Sequence, residues 1–274
     1  MSIAQLLDAA ENGDIDRVVR LIDEEGIDVN GQDEYMEWTP LILACNYGHL
    51  DVVELLLAKG ADLYKSNYKR ATPFHRACRG QHAHVVEYLL SIGVDFNRPD
   101  YQESPPIIYA SSPHNDNTEV VALLVAAGAD VMARNQFGRF PLLYVSSRGH
   151  PDSITVLLDA NADINGTDNW GWTPLHEACR WNRVGCVQVL LDRGADVTML
   201  TWDNGDTALE LARRHGHESV IEEFRQRGSL LQTAEAAQVS DAAQERRAQI
   251  QRARDEASAS ATTGVNTSER AQLD

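Results

Sequence analysis

The sequence is poor in cysteine, in basic charge and in long apolar runs, and each shortage closes off a class of protein. Four cysteines in 274 residues (Cys45, Cys78, Cys179 and Cys186) are too few for a disulfide scaffold. The longest apolar run, Val120 to Ala129, falls short of the roughly 20 residues that span a bilayer. Met1 to Gly13 carries Asp8 and Glu11 and lacks a basic start followed by an apolar stretch, so no secretory signal is expected. Lysine and arginine number 24 against 41 acids, a formal charge of −17. Phosphate backbones and anionic lipid repel such a chain, which argues against nucleic acid and membrane as partners. Gly-rich phosphate loops, Gly-x-Ser-x-Gly elbows and metalloprotease motifs are all missing. The expectation is a non-enzymatic chain of the cytoplasm or nucleus, with no cofactor, metal or small-molecule substrate.

What the sequence has is self-similarity. Thr39-Pro40-Leu41 recurs as Thr72-Pro73-Phe74 and Thr173-Pro174-Leu175, with degenerate copies at Pro105-Pro106-Ile107, Phe140-Pro141-Leu142 and Thr207-Ala208-Leu209. An apolar helical stretch follows each, such as Val52 to Leu57 or Val85 to Leu90. A Gly-Ala-Asp type turn closes the unit at Gly60, Gly93, Gly128 and Gly194, and Asn161 takes the glycine's place once.

The motif has a physical reading of its own. Thr39 caps a first helix by accepting a backbone N–H, and Pro40 suits the first helical position. Leu41 and Ala44 share a face, and the small Ala44 lets neighbouring helices approach. Gly48 ends that helix, and a second runs from about Leu50 to Ala58. One such unit cannot bury its apolar face alone, so the core must lie between neighbours.

These residues resemble the ankyrin family over roughly Met1 to Phe224. The resemblance implies an all-α solenoid of stacked helix-turn-helix units with extended turn fingers. The units are expected at about 1–31, 32–65, 66–98, 99–133, 134–166, 167–199 and 200–224, followed by a helical tail over 225–256 and disorder over 257–274. The tail breaks near Ser240-Asp241, and its apolar residues are too sparse for a firm coiled coil. Units four and five depart from the pattern: Pro105 and Phe140 replace the capping threonine, and Ile108 and Leu143 replace the motif histidine. A two-residue insertion falls within Ser111 to Asn117.

Several residues with catalytic or ligating chemistry have a structural reading. The resemblance implies that His75 and His176 bond backbone near the turn. His49, His82, His150 and His217 share a second repeat position, and no carboxylate or thiolate cluster joins His82 and His84 into a metal site. Cys45, Cys78 and Cys179 follow the small helix alanine, and equivalent positions about 10 Å apart are too distant for disulfides. Asn97 and Asn165 each lie eight residues after a leucine, a position at which the resemblance implies substrates of asparaginyl hydroxylase; the other reading is a turn residue bonding its own backbone.

The resemblance also implies that a partner docks on the turn tips and the exposed face of the first helices. Carried over, those positions hold Tyr35, Met36, Trp38, Asn46 and Tyr47, then Tyr68, Lys69, Arg79 and Gly80. Tyr101, Phe137, Arg139 and Arg148 continue the series, followed by Trp170, Trp172, Arg180, Trp181, Arg214 and His215. Tyr, Trp and Arg are the types enriched at binding hot spots. The expected function is protein–protein interaction, as a scaffold or regulatory binder gripping an acidic segment of one or more proteins on a concave aromatic and arginine face. The alternatives are that some rings pack on adjacent turns, and that the chain is a permanent subunit or assembly factor with its tail as a second contact.

Overall fold

The structure, a computed structural model, describes residues 2–113, 118–238, 241, 244–245 and 247–252. Among them are fifteen helices and no strand. The architecture is an all-α solenoid of helix-turn-helix repeats. Contacts divide the chain into two compact units, Met1–Ile164 and Asn165–Asp274.

The N-terminal unit holds five helix pairs: α1 (Ile3–Asn12) with α2 (Ile15–Asp23), α3 (Pro40–Tyr47) with α4 (Leu50–Ala58), α5 (Pro73–Gly80) with α6 (Ala83–Ser91), α7 (Pro106–Ala110) with α8 (Thr118–Ala126), and α9 (Pro141–Arg148) with α10 (Pro151–Asp159). First helices stack on first helices and second on second, so each pair buries its apolar face against its neighbours. The C-terminal unit holds α11 (Pro174–Arg180) with α12 (Val184–Asp192), α13 (Ala208–Arg214) with α14 (Glu218–Gln226), and α15 (Ser229–Gln238).

One local pattern recurs along the pairs. Thr39 accepts the Ile42 N–H, and Thr173 and Thr207 accept their own third-position N–H groups. The residue after the proline position is a core anchor throughout: Leu41, Phe74, Ile107, Leu142, Leu175 and Leu209 are all buried. Second helices repeat a buried triplet, such as Val52, Val53 and Leu56 in α4 and Val85, Val86 and Leu89 in α6. Asn161 adopts the left-handed backbone, φ 65°, that glycine supplies elsewhere.

Histidines join successive repeats. The Thr72 N–H donates to His75 Nδ1 at 3.2 Å, which leaves Nε2 to carry the proton and donate to the Ser104 carbonyl of the next repeat at 3.3 Å. His176 makes the same pair of contacts, from Thr173 N–H and to Asp206 O at 3.1 Å. Burial holds both rings down at about 4. At the second histidine position, His49, His82 and His217 reach back to carbonyls of Glu11, Asn46 and Arg180. His84 Nε2 meets the Gly48 carbonyl in the same way. Gly48 allows this approach: its φ is 81°, and a Cβ there would stand 2.5 Å from the His82 ring.

The departures in repeats four and five are compensated locally. Pro105 makes no side-chain cap, α7 spans only five residues, and the Ser111 and Ser112 hydroxyls donate to the Ile107 and Ile108 carbonyls beyond it. Phe140 gives up the cap and is fully buried under the Arg134 guanidinium, 4.9 Å from the ring centroid. Ile108 and Leu143 are buried where the motif histidine would stand. Beyond α14, Ala234 of α15 is buried, and the Arg247 side chain donates to Glu210 and to the Gly205 carbonyl. Ser240 and residues 257–274, where a break and disorder are expected, lie outside the described residues.

Candidate functional site

The turns between repeats are fixed by a buried polar anchor. Asn67 Oδ1 accepts the Lys69 and Ala71 N–H groups, Asp100 Oδ1 those of Gln102 and Ser104, and Asp168 Oδ1 those of Trp170 and Trp172. Asn135 repeats the arrangement with Phe137 and Arg139. A backbone bond then ties each tip to the one before: Tyr68 N–H to Met36 O, Tyr101 to Lys69 O, Gln136 to Gln102 O. The tips therefore present Tyr35, Tyr68 and Tyr101 outward, and Tyr35 is 88% exposed.

Beside these tips the N-terminal unit contains a cleft of about 370 Å³. Of the residues expected to bind, Met36, Trp38, Tyr68, Lys69, Arg79 and Arg148 come together in it. Arg76, Asp100, Tyr109 and Tyr144 join them without having been expected there. The Arg76 guanidinium lies over the Trp38 ring at 4.8 Å, and Lys69 Nζ lies 5.4 Å from the Tyr68 ring centroid. Contacts of this kind contribute about 0.5–2 kcal/mol.

The electrostatics are one-sided. The lining holds four bases (Lys69, Arg76, Arg79 and Arg148) and a single acid, Asp100. Asp100 is buried, and beyond its two backbone donors its Oδ2 accepts the Tyr109 hydroxyl at 2.7 Å. Burial and this bond push the Tyr109 hydroxyl pKa up. Among the described residues, Lys69, Arg76 and Arg79 form no ion pair. Burial lowers the Arg76 pKa, and the charges of Asp100, Tyr109 and Tyr68 only partly oppose it. Two donors in the lining, Trp38 Nε1 and Arg76 Nε, are shielded from solvent with no acceptor among the described residues. Each such orphan costs about 1–3 kcal/mol.

The C-terminal unit carries a second aromatic group. Trp170, Trp181 and Trp202 are half-exposed. Trp172 corrects an expectation: it is 7% exposed and packs beneath Arg180, 4.8 Å from its ring, and edge-on to His176. The Asp168–Gly171 turn, closed by the Gly171 N–H to Asp168 O bond, carries Trp170 at its exposed tip, and Gly171 at φ 77° turns the chain back so that Trp172 is buried. Arg180 also lies 5.3 Å from Trp181, whose Nε1 donates to Glu177. Arg214 pairs with Asp206, so its charge is balanced within the chain.

The other expected residues are not part of the cleft's lining. Tyr47 is exposed on α3 and bonds Glu11, which raises its pKa. Arg139 lies over the Tyr144 ring at 4.8 Å, and Phe137 is half-buried at its turn. Asn97 is exposed; Asn165 Oδ1 accepts the Asp196 N–H, a structural role between turns.

The profile of the family described as ankyrin repeats (3 copies) matches residues 6–100 and 107–201. The chain belongs to the ankyrin-repeat family. Ankyrin repeats are in general protein–protein interaction modules. The human ASB11 ankyrin repeat domain is a structural neighbour, with a TM-score of 0.70 and 25% identity, covering 80% of this chain and 96% of that one. Human ankyrin repeat domain-containing protein 49 is 48% identical over 59 residues, 22% of this chain and 24% of that protein. Mouse 2-5A-dependent ribonuclease is 40% identical over 62 residues, 23% of this chain. That stretch is only 8% of the ribonuclease, so the activity in its name does not follow the match. No helix among the described residues is long and apolar enough to cross a membrane.

Two signals in the sequence would have found what was missed. Arg76, Tyr109 and Tyr144 all stand three residues after the motif proline, the variable place between the histidine and alanine positions. Trp202 follows its turn anchor Thr201 just as Tyr68 follows Asn67 and Tyr101 follows Asp100.

Proposed function

We propose that this ankyrin-repeat chain binds an acidic segment of a partner protein in the cleft of its N-terminal unit, with the exposed tryptophans of the C-terminal unit as a second contact surface. The observation that carries the reading is the group of unpaired bases Lys69, Arg76 and Arg79, set among aromatic rings in a chain of net charge −17. Such a field favours carboxylates over the rest of the chain's own surface, and arginine engages them in bidentate fashion. The rings supply apolar contact at low entropy cost.

The test is association kinetics with a partner captured from source cells, measured against ionic strength. Association should slow as salt rises through the physiological range, because steering is screened over about 8 Å. Arg79→Gln should flatten that dependence. Association indifferent to salt would refute the acidic partner, and co-purification that survives high salt without exchange would favour a permanent subunit instead.

A further inference from the structure

We infer that the cleft recognises a phosphorylated side chain on the partner segment. This rests on the cleft being the docking surface, and it names the group that the cleft takes.

Charge count comes first. Even with Asp100 credited in full against Lys69, Arg76 and Arg79, the lining keeps an excess of two positive charges. One carboxylate leaves half of that excess in place. A phosphoryl group carries about −1.5 to −2 at neutral pH and three strong acceptor oxygens. Donor geometry comes second. Arg76 and Arg79 stand three apart on α5, on one helix face, so both guanidiniums reach the same ligand. Trp38 Nε1 and Arg76 Nε add two donors without acceptors in the same lining, where acceptor oxygens would satisfy them. Asp100 does not take that role: its Oδ1 accepts from Gln102 and Ser104 and its Oδ2 from Tyr109. The aromatic wall comes third: Trp38, Tyr68, Tyr109 and Tyr144 give the side chain that bears the phosphate an apolar surface which a free anion would not use.

The test uses the full chain labelled with 15N and reads its indole N–H signals, of which the five tryptophans give five. Trp38→Phe assigns the relevant one. The protein is titrated with phenyl phosphate, benzoate and inorganic phosphate at matched ionic strength. The Trp38 signal should move saturably with phenyl phosphate, with at least tenfold weaker binding of both benzoate and inorganic phosphate. Arg76→Gln and Arg79→Gln should each weaken phenyl phosphate at least tenfold, while Arg20→Gln, an equal charge change on α2, should not. If Arg76→Gln disperses the other indole signals abnormally, Arg79→Gln carries the comparison. A Trp38 signal that stays still, benzoate binding as tightly as phenyl phosphate, or inorganic phosphate binding as tightly would each overturn the inference. A saturable phenyl phosphate site beside partner binding that ignores Arg79→Gln would instead overturn the docking reading on which it rests.

Discussion

Acid should weaken this protein through two neutral histidines that join its repeats. Burial depresses His75 and His176 from an ordinary 6.5 to about 4. Their Nδ1 atoms already accept threonine N–H groups, so a proton placed there would face donors. Between pH 6.5 and 4 the unfolded chain therefore binds more protons than the folded one. The stability contribution is complete above 6.5 and is lost as pH falls toward 4. At 1.36 kcal/mol per unit each ring contributes about 3 kcal/mol, and about 2 kcal/mol of that is lost between pH 7.5 and 5.0. The perturbation is His75→Gln, because glutamine in the same place can still accept the Thr72 N–H without titrating. Urea unfolding of wild type and variant at both pH values isolates the ring, since carboxylate titration is common to both proteins. The single variant should lose about 2 kcal/mol less than wild type on acidification, and the double variant with His176→Gln about 4 kcal/mol less. Side-chain 13C–1H spectra report the rings directly. Titration of either ring near 6.5, or equal acid loss in wild type and double variant, would refute the reasoning.

Two further comparisons separate packing from exposure. Gly48→Ala and Gly60→Ala both force alanine to positive φ, which costs about 1–2 kcal/mol, but only at Gly48 would the new Cβ meet a ring, that of His82 at 2.5 Å. Gly48→Ala should therefore destabilise by about 1–3 kcal/mol more than Gly60→Ala, and equal urea midpoints would sink the close-approach argument. Trp172→Ala should cost about 3–5 kcal/mol of stability in the C-terminal unit. Trp181→Ala should leave stability nearly unchanged and weaken partner binding by about 1–3 kcal/mol, and if it unfolds the unit its ring is structural.

The fold was legible because cap, core anchor, small residue and turn recur in one short period, so errors in one copy are corrected by the others. Pro105 and Phe140 break the cap, yet Ile107 and Leu142 still follow their prolines and stay buried. The site was only partly legible for the opposite reason. A binding surface is made of the places where repeats differ, and the place three residues after the proline differs without any recurring signal to mark it. Trp172 differs from its expectation because residue type carries no direction: Gly171, at φ 77°, turns the chain between two tryptophans and leaves one at the tip and the other buried. The Asp and Asn anchors were legible in principle, standing six residues before the proline at Asn67, Asp100, Asn135 and Asp168. What they do was not, since bonds to backbone N–H groups leave no trace in spacing.

Those anchors also resolve an apparent conflict between an acidic chain and an arginine-lined cleft. Net charge suggests that any base should find an acid nearby, and on the chain's surface many do: Arg17 with Asp8, Lys59 with Asp23, Arg227 with Asp192, Arg214 with Asp206. At the cleft the nearest acid is an anchor. Asp100 spends its oxygens on Gln102, Ser104 and Tyr109, because an unsatisfied turn N–H in that buried place would cost more than a surface ion pair returns. Asp100 thus keeps its charge near Arg76 but forms no ion pair with Arg76 or Arg79. The excess of acid elsewhere leaves the cleft's field intact, because exposed pairs are screened within about 8 Å. The requirement of the turn creates the unpaired charge, and the unpaired charge is what a partner can use.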